Sequence, residues 1–170
     1  MEKNLLQRFS VVLFILAIVF SVYSCNEGDT IIITPANNTI SGKITFVDTN
    51  RITSGGYYDI GVFPNPSNPP TYWFGPPTVN DTLELIFVNG KYEAFYSLSG
   101  VPDGDYVVAV GFRKDTGGQS PIMGVYGCDT ARAVWGSTCF LDPQRISIVN
   151  NAGVTDVNFL SWADTTNKIY

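Results

Sequence analysis

Pro102-Asp103-Gly104-Asp105-Tyr106-Val107-Val108-Ala109-Val110-Gly111-Phe112 is the stretch that decides the fold. Proline presets φ for the first central position of a turn, and Asp and Gly complete the turn chemistry. Beyond it, Tyr106, Val108, Val110 and Phe112 recur with the period of two that a strand requires. The same period extends outward. Ile40, Gly42, Ile44 and Phe46 share one face of a first strand, with Ser41, Lys43 and Thr45 opposite. Tyr58, Ile60 and Val62 alternate in a second, and residues 82–88 read as a third. Asn89-Gly90 then predicts a type I′ hairpin, since both residues tolerate positive φ, with Lys91 to Leu98 as the returning strand. Late in the chain Ile146 and Ile148 alternate, Asn150-Asn151-Ala152-Gly153 supplies a turn, and Val157 and Phe159 close the pattern. No long stretch carries a helical period, and 16 glycines and 10 prolines punctuate the chain. The expectation is an all-β chain, a single antiparallel β-sandwich of about seven strands over residues 39–162, with residues 163–170 as a C-terminal tail.

Composition narrows the function. With 170 residues the chain has room for one ordinary domain, and its 45% hydrophobic content is enough for a core. Ten Lys and Arg against fifteen Asp and Glu give a formal charge of −5, without the clustered cations that nucleic-acid binding needs. Histidine is absent. That removes Ser-His-Asp and Cys-His catalysis, His metal sites and the usual near-neutral proton shuttle. No phosphate-binding glycine loop, Cys-rich zinc site or nucleophile elbow is present, and no cofactor is expected.

The N-terminus is an address. Lys3 and Arg8 precede an apolar run from Val11 to Val22, too short to cross a bilayer core and suited to a signal peptide. Val22-Tyr23-Ser24-Cys25 resembles the lipobox of bacterial lipoproteins, which implies cleavage after Ser24 and lipidation of Cys25. Residues 1–24 are then the signal peptide, and residues 25–38 the lipidated cysteine and its tether. Within the tether, Ile31-Ile32-Ile33 is either linker or an added edge strand. Loss of Glu2, Lys3 and Arg8 leaves eight cations against fourteen anions, a formal charge of −6 on 146 residues. Such a surface adds no attraction to anionic lipid, so acyl chains must do the holding, at about 0.8 kcal/mol per buried methylene. The expected location is the cell envelope of a bacterium, at the outer membrane.

Three segments together resemble the carboxypeptidase regulatory-like, or transthyretin-like (prealbumin-like), β-sandwich family. They are Ile40-Ser41-Gly42-Lys43-Ile44-Thr45-Phe46, the stretch from Gly100 to Val110 with a Pro-x-Gly-x-Tyr hairpin entering a central strand, and Gly153-Val154-Thr155-Asp156-Val157-Asn158-Phe159. The resemblance implies a non-catalytic module of the kind appended to surface proteins, some relatives of which bind starch. The relatives that hydrolyse hydroxyisourate rely on histidines, so that activity does not carry over. The proline-rich insertion after the second strand and the Cys-containing segment before the last hairpin depart from the family pattern.

Those departures hold the candidate site residues. Cys128 and Cys139 are the only cysteines besides Cys25, and in an exported domain an even pair reads as a disulfide, against the alternative of two reduced thiols. Pro64 to Pro77 contains six of the ten prolines and encloses Tyr72-Trp73-Phe74. Adjacent aromatics in an extended segment face opposite sides, so this triplet offers a ring for stacking on a sugar or a protein partner, or else caps the sandwich. Asp103 with Asp105, and Asp48 with Asn50, are acidic bends equally explained by turn chemistry or by calcium. Glu84 and Glu93 are the one carboxylate pair suited to glycoside hydrolysis, with a solvated hairpin face as the simpler account. The reading is a non-catalytic, lipid-anchored envelope protein that acts as a binding or structural module. Its partners are the membrane and either a glycan or another envelope protein. The alternative is a carbohydrate-binding accessory lipoprotein using Tyr72, Trp73 and Phe74.

Cys25→Ala is expected to block lipidation and shift the protein from the membrane pellet to the soluble fraction. Intact-mass analysis checks it: the wild-type membrane form should start at Cys25 and carry the mass of its acyl chains.

Overall fold

The computed structural model describes residues 35–71, 73, 75–118, 120–128 and 143–168. Cys25, Tyr72, Phe74 and Cys139 lie outside these described residues. One compact unit spans Pro35–Tyr170. Its centre is the strand read first, Gly104–Lys114 (β6). Against one side of β6 lies Gly56–Pro64 (β2), antiparallel in an unbroken register from Gly56↔Lys114 to Pro64↔Tyr106. Ile122–Val125 (β7) and Ile146–Ile148 (β8) share its other side, and Val79–Thr82 (β3) extends the sheet beyond β2. The second sheet has the order Ile86–Val88 (β4), Lys91–Ser99 (β5), Thr39–Phe46 (β1) and Phe159–Ser161 (β9). The described residues are all-β, with a short 3-10 turn at Thr165–Asn167 and no α-helix.

The alternation that defined the strands also defines the core. Tyr58, Ile60 and Val62 of β2 and Tyr106, Val108, Val110 and Phe112 of β6 face Ile40, Ile44 and Phe46 of β1 and Ala94, Tyr96 and Leu98 of β5. Phe46, Tyr58 and Phe112 stack edge to face, with centroids 5.6 and 5.1 Å apart, a geometry that adds to their area burial. Asn89 and Gly90 both hold positive φ, 50° and 79°, and turn β4 into β5 as the dipeptide predicted.

Four expectations are corrected. Residues 82–88 are not one strand. β3 pairs with β2 in one sheet, β4 pairs with β5 in the other, and buried Leu83 and Leu85 carry the chain across. The apolar alternation there records a crossing over the core edge, not a continuous ladder. Pro102-Asp103-Gly104 likewise joins two sheets, not two paired strands, because β5 and β6 belong to different ladders. The Tyr106 hydroxyl donates to the Pro102 carbonyl at 2.9 Å, and buried Val101 donates its N–H to the Asn38 carbonyl. The closing strand β9 runs parallel to β1, so the pairing is not wholly antiparallel. The expected tail is also part of the fold: Ala163 is buried, and Tyr58 donates its hydroxyl to the Ala163 carbonyl.

The acidic bends are structural. Both oxygens of Asp103 accept backbone N–H groups of Asn150 and Asn151, at 2.9 and 2.8 Å, which ties the sheet crossing to the Asn-Asn turn. Asp48 accepts from the N–H groups of Ala163 and Asp164 in the same way.

Gly42 sits on the core face of β1 because the Val157 backbone lies against it. A Cβ there would stand 2.2 Å from the Val157 carbonyl oxygen. That oxygen also accepts the Tyr96 hydroxyl at 2.7 Å, and burial pushes the Tyr96 phenol pKa upward, so the group stays a neutral donor. Gly42 is held in the β1–β5 ladder and Val157 by its N–H bond to the Ser41 carbonyl at 3.1 Å, so neither backbone can retreat without breaking hydrogen bonds. Gly42→Ala is therefore expected to destabilise the domain by about 1–3 kcal/mol, read as a lower urea midpoint at unchanged slope.

Candidate functional site

β6 is buried on its second face as well. Val107 and Ala109 point away from the main core into a second cluster with Trp73, Val125 and Cys128. The cover is the proline-rich segment, and its ends are pinned. Asn65 is buried, donates its side-chain amide to the Thr71 carbonyl at 2.6 Å, and donates its N–H to the Asp105 carbonyl. Arg145, just before β8, donates to the carbonyls of Asn65 and Ser67 at 2.9 and 2.7 Å. Trp73 hangs from this frame with its residue 3% exposed and its ring 4.8 Å from that of Phe63. Of the aromatic triplet, this ring turns inward. It caps the outer face of the five-stranded sheet, not an open end between the sheets.

The cover stops short of the whole face. Where it stops, a pocket of about 320 Å³ opens between the Gly75-Pro76-Pro77 rim, the strands and the segment around Ser120. Its floor is made of residues with little or no side chain: Gly61 of β2, and Ala109 and Gly111 of β6. A Cβ on Gly61 would meet the Phe63 ring at 2.9 Å and the Pro77 Cβ at 3.0 Å. Phe63, Trp73 and Ile122 form apolar walls. The far wall is polar. Arg113 Nε donates to Asp59 Oδ2 at 2.5 Å, and the Asp59 side chain is 9% exposed against 40% for Arg113. The hydrogen bond and charge of Asp59 push the Arg113 pKa above its ordinary value, so the guanidinium is locked as a cation beside a carboxylate.

Sequence reasoning missed this arrangement. Asp59 stands between Tyr58 and Ile60 and reads as the wet side of an alternating strand. Only the β2–β6 register, which sets Tyr57 opposite Arg113 and Asp59 opposite Gly111, brings carboxylate and guanidinium to one wall. The available signal was β6 itself: Val107 and Ala109 are as apolar as the residues between them, the mark of a strand covered on both faces.

The other candidates fall elsewhere. Glu84 lies in the sheet crossing, and Glu93 on β5 is paired with Lys43 at 2.9 Å. Cys128 follows β7 and is buried in the second cluster.

Two substitutions should separate the roles of these groups. Trp73→Ala removes the cover of β6 and is expected to cost about 3–5 kcal/mol. Asp59→Asn breaks an ion pair whose cation is well hydrated, and should cost only about 1–2 kcal/mol. Urea unfolding of both variants checks the ranking. No family model, no curated protein and no solved structure matches this chain.

Proposed function

We propose that this chain is a non-catalytic, lipid-anchored protein of the bacterial cell envelope that binds a small ligand. In this reading residues 1–24 are a signal peptide, Cys25 carries the lipid, and the tether ends where a transthyretin-like β-sandwich begins. Two sheets sharing one core support the sandwich. The observation that carries the binding function is the pocket on the outer face of the β3-β2-β6-β7 sheet, because its floor and its polar wall stand on paired strands. Concave sites with apolar walls and a few convergent polar groups are where small ligands bind, and preformed geometry limits the entropy lost on binding. Absence of enzymatic activity is supported by the lack of histidine and by the engagement of the Asp59 carboxylate with Arg113.

A disulfide between Cys128 and Cys139 belongs to the same proposal. It would close a loop beside the second cluster, contributing about 3 kcal/mol in the chain-entropy account, and would hold the chain next to Trp73.

The test uses the lipidated protein in detergent micelles, with tryptophans labelled and the Trp73 indole signal assigned through Trp73→Phe. A library of neutral, acidic and basic water-soluble fragments should contain members that shift that signal. Gly61→Ala and Gly111→Ala, each placing a methyl on the floor, should weaken those members at least tenfold. If no fragment moves the Trp73 signal, or if both floor variants bind as the wild type does, the pocket is not a binding site.

A further inference from the structure

We infer that the ligand of this pocket is a neutral sugar, held through two adjacent hydroxyls by Asp59 and Arg113 with its ring lying over the glycine floor. The inference rests on the pocket being a binding site and adds the class of ligand. It moves the carbohydrate reading off the aromatic triplet and onto the strands.

The polar wall is asymmetric. Arg113 uses Nε, and Asp59 uses Oδ2, on each other. Among the described residues no other hydrogen bond engages Asp59 Oδ1 or the two terminal guanidinium nitrogens, so this lining offers one further acceptor and two further donors. A hydroxyl both donates and accepts. Two hydroxyls on neighbouring carbons can therefore give one proton to Asp59 Oδ1 and receive an N–H from Arg113, both as charge-assisted bonds. A carboxylate ligand can use the guanidinium but meets the Asp59 charge beside it, and an ammonium ligand meets the converse. The pair is neutral overall, so it selects for hydrogen-bonding pattern over net charge.

The remaining walls fit the other half of a sugar. A pyranose ring carries C–H groups on its faces, and Phe63, Trp73, Pro77 and Ile122 offer apolar surface to them. Gly61, Ala109 and Gly111 let a flat ring approach the sheet closely. A pocket of about 320 Å³ is at the small end for ligand sites, which suits one sugar residue or the end of a longer chain more than a buried oligosaccharide.

Isothermal titration of the lipidated protein in micelles provides the test. The probes are methyl glucoside, galactoside, mannoside and arabinoside, their single-deoxy forms, maltohexaose, laminarihexaose and xylohexaose, with glucuronate, acetate and cyclohexanol alongside. At least one neutral sugar should bind and shift the Trp73 indole signal, with affinity changing less than twofold between 50 and 500 mM NaCl (roughly the insensitivity expected of an uncharged ligand). Removing one hydroxyl of the recognised pair, or introducing Arg113→Lys or Asp59→Asn, should weaken it at least tenfold, with thermal melts confirming that the variants are folded. Arg113→Lys keeps the charge and loses the fork, so it guards against an unfolded Asp59 variant. If acetate or cyclohexanol enters the pocket and no sugar does, the ligand class is wrong while the binding site stands. Steeply salt-dependent binding of glucuronate or acetate, or sugar binding unchanged in Arg113→Lys, would equally overturn the inference.

Discussion

The structure depends on a strand with no wet side. From Tyr106 to Phe112 every residue of β6 is buried, so its outward residues need a cover as much as its inward ones. The inward cover is ordinary: the β1 and β5 faces close over Tyr106, Val108, Val110 and Phe112. Among the described residues the outward cover is not another sheet. It is supplied by the proline-rich segment, which carries few backbone donors to satisfy and brings one large ring to Val107 and Ala109. Anchoring that segment explains the polar network at its base. Asn65 closes the loop on Thr71, while Arg145 grips two carbonyls of the loop and approaches Asp105 at 3.6 Å. The loop is thus tied to β6 and to the residue leading into β8.

A cover made of one loop is narrower than the sheet it covers. Trp73 reaches Val107 and Ala109, and beyond Ala109 the next outward positions on β6 are Gly111 and Arg113. Position 111 is still buried, whereas a large apolar residue at 113 would have been left partly exposed. The chain instead places a glycine and then an ion pair at the limit of the cover. Asp59 is the buried partner, Arg113 the hydrated one, and their pairing lets a carboxylate sit on a face that is otherwise dry. The pocket follows from a mismatch of widths between loop and sheet.

Much of this fold is legible in the sequence because periodicity reports local burial. The strands at 40–46, 58–62, 91–98 and 106–112 follow from alternation, and Asn89-Gly90 from its φ requirement. What alternation cannot report is which ladder a strand joins. Leu83 and Leu85 keep the period of two while the chain crosses between sheets, and Pro102-Gly104 turns the chain without returning it to its neighbour. The site was hidden for a related reason. Asp59 and Arg113 are far apart in sequence, and each is an unremarkable polar residue on its own strand. Trp73 was visible as a residue of interest, and its surroundings were not, because a burial partner such as Val107 is identified only by the β2–β6 register and the loop lying over it.

The two floor glycines do not carry equal weight for function. Glycine in a strand interior is unfavourable by about 0.5–1 kcal/mol relative to alanine, so each position needs a reason. Gly61 has a packing reason: a methyl would press into the Phe63 ring and Pro77, and the cover itself would have to move. Gly111 has less of one. Its Cβ would find only Asp59 Oδ1 within 3.1 Å, with the next atom, the Pro121 carbonyl oxygen, at an ordinary 3.5 Å. The group that a methyl would disturb is the carboxylate oxygen not engaged by Arg113. Stability alone would tolerate alanine here once that side chain shifted by a few tenths of an ångström. Gly111 preserves the position and access of a single acceptor oxygen, which the proposed binding wall needs and a merely structural ion pair does not.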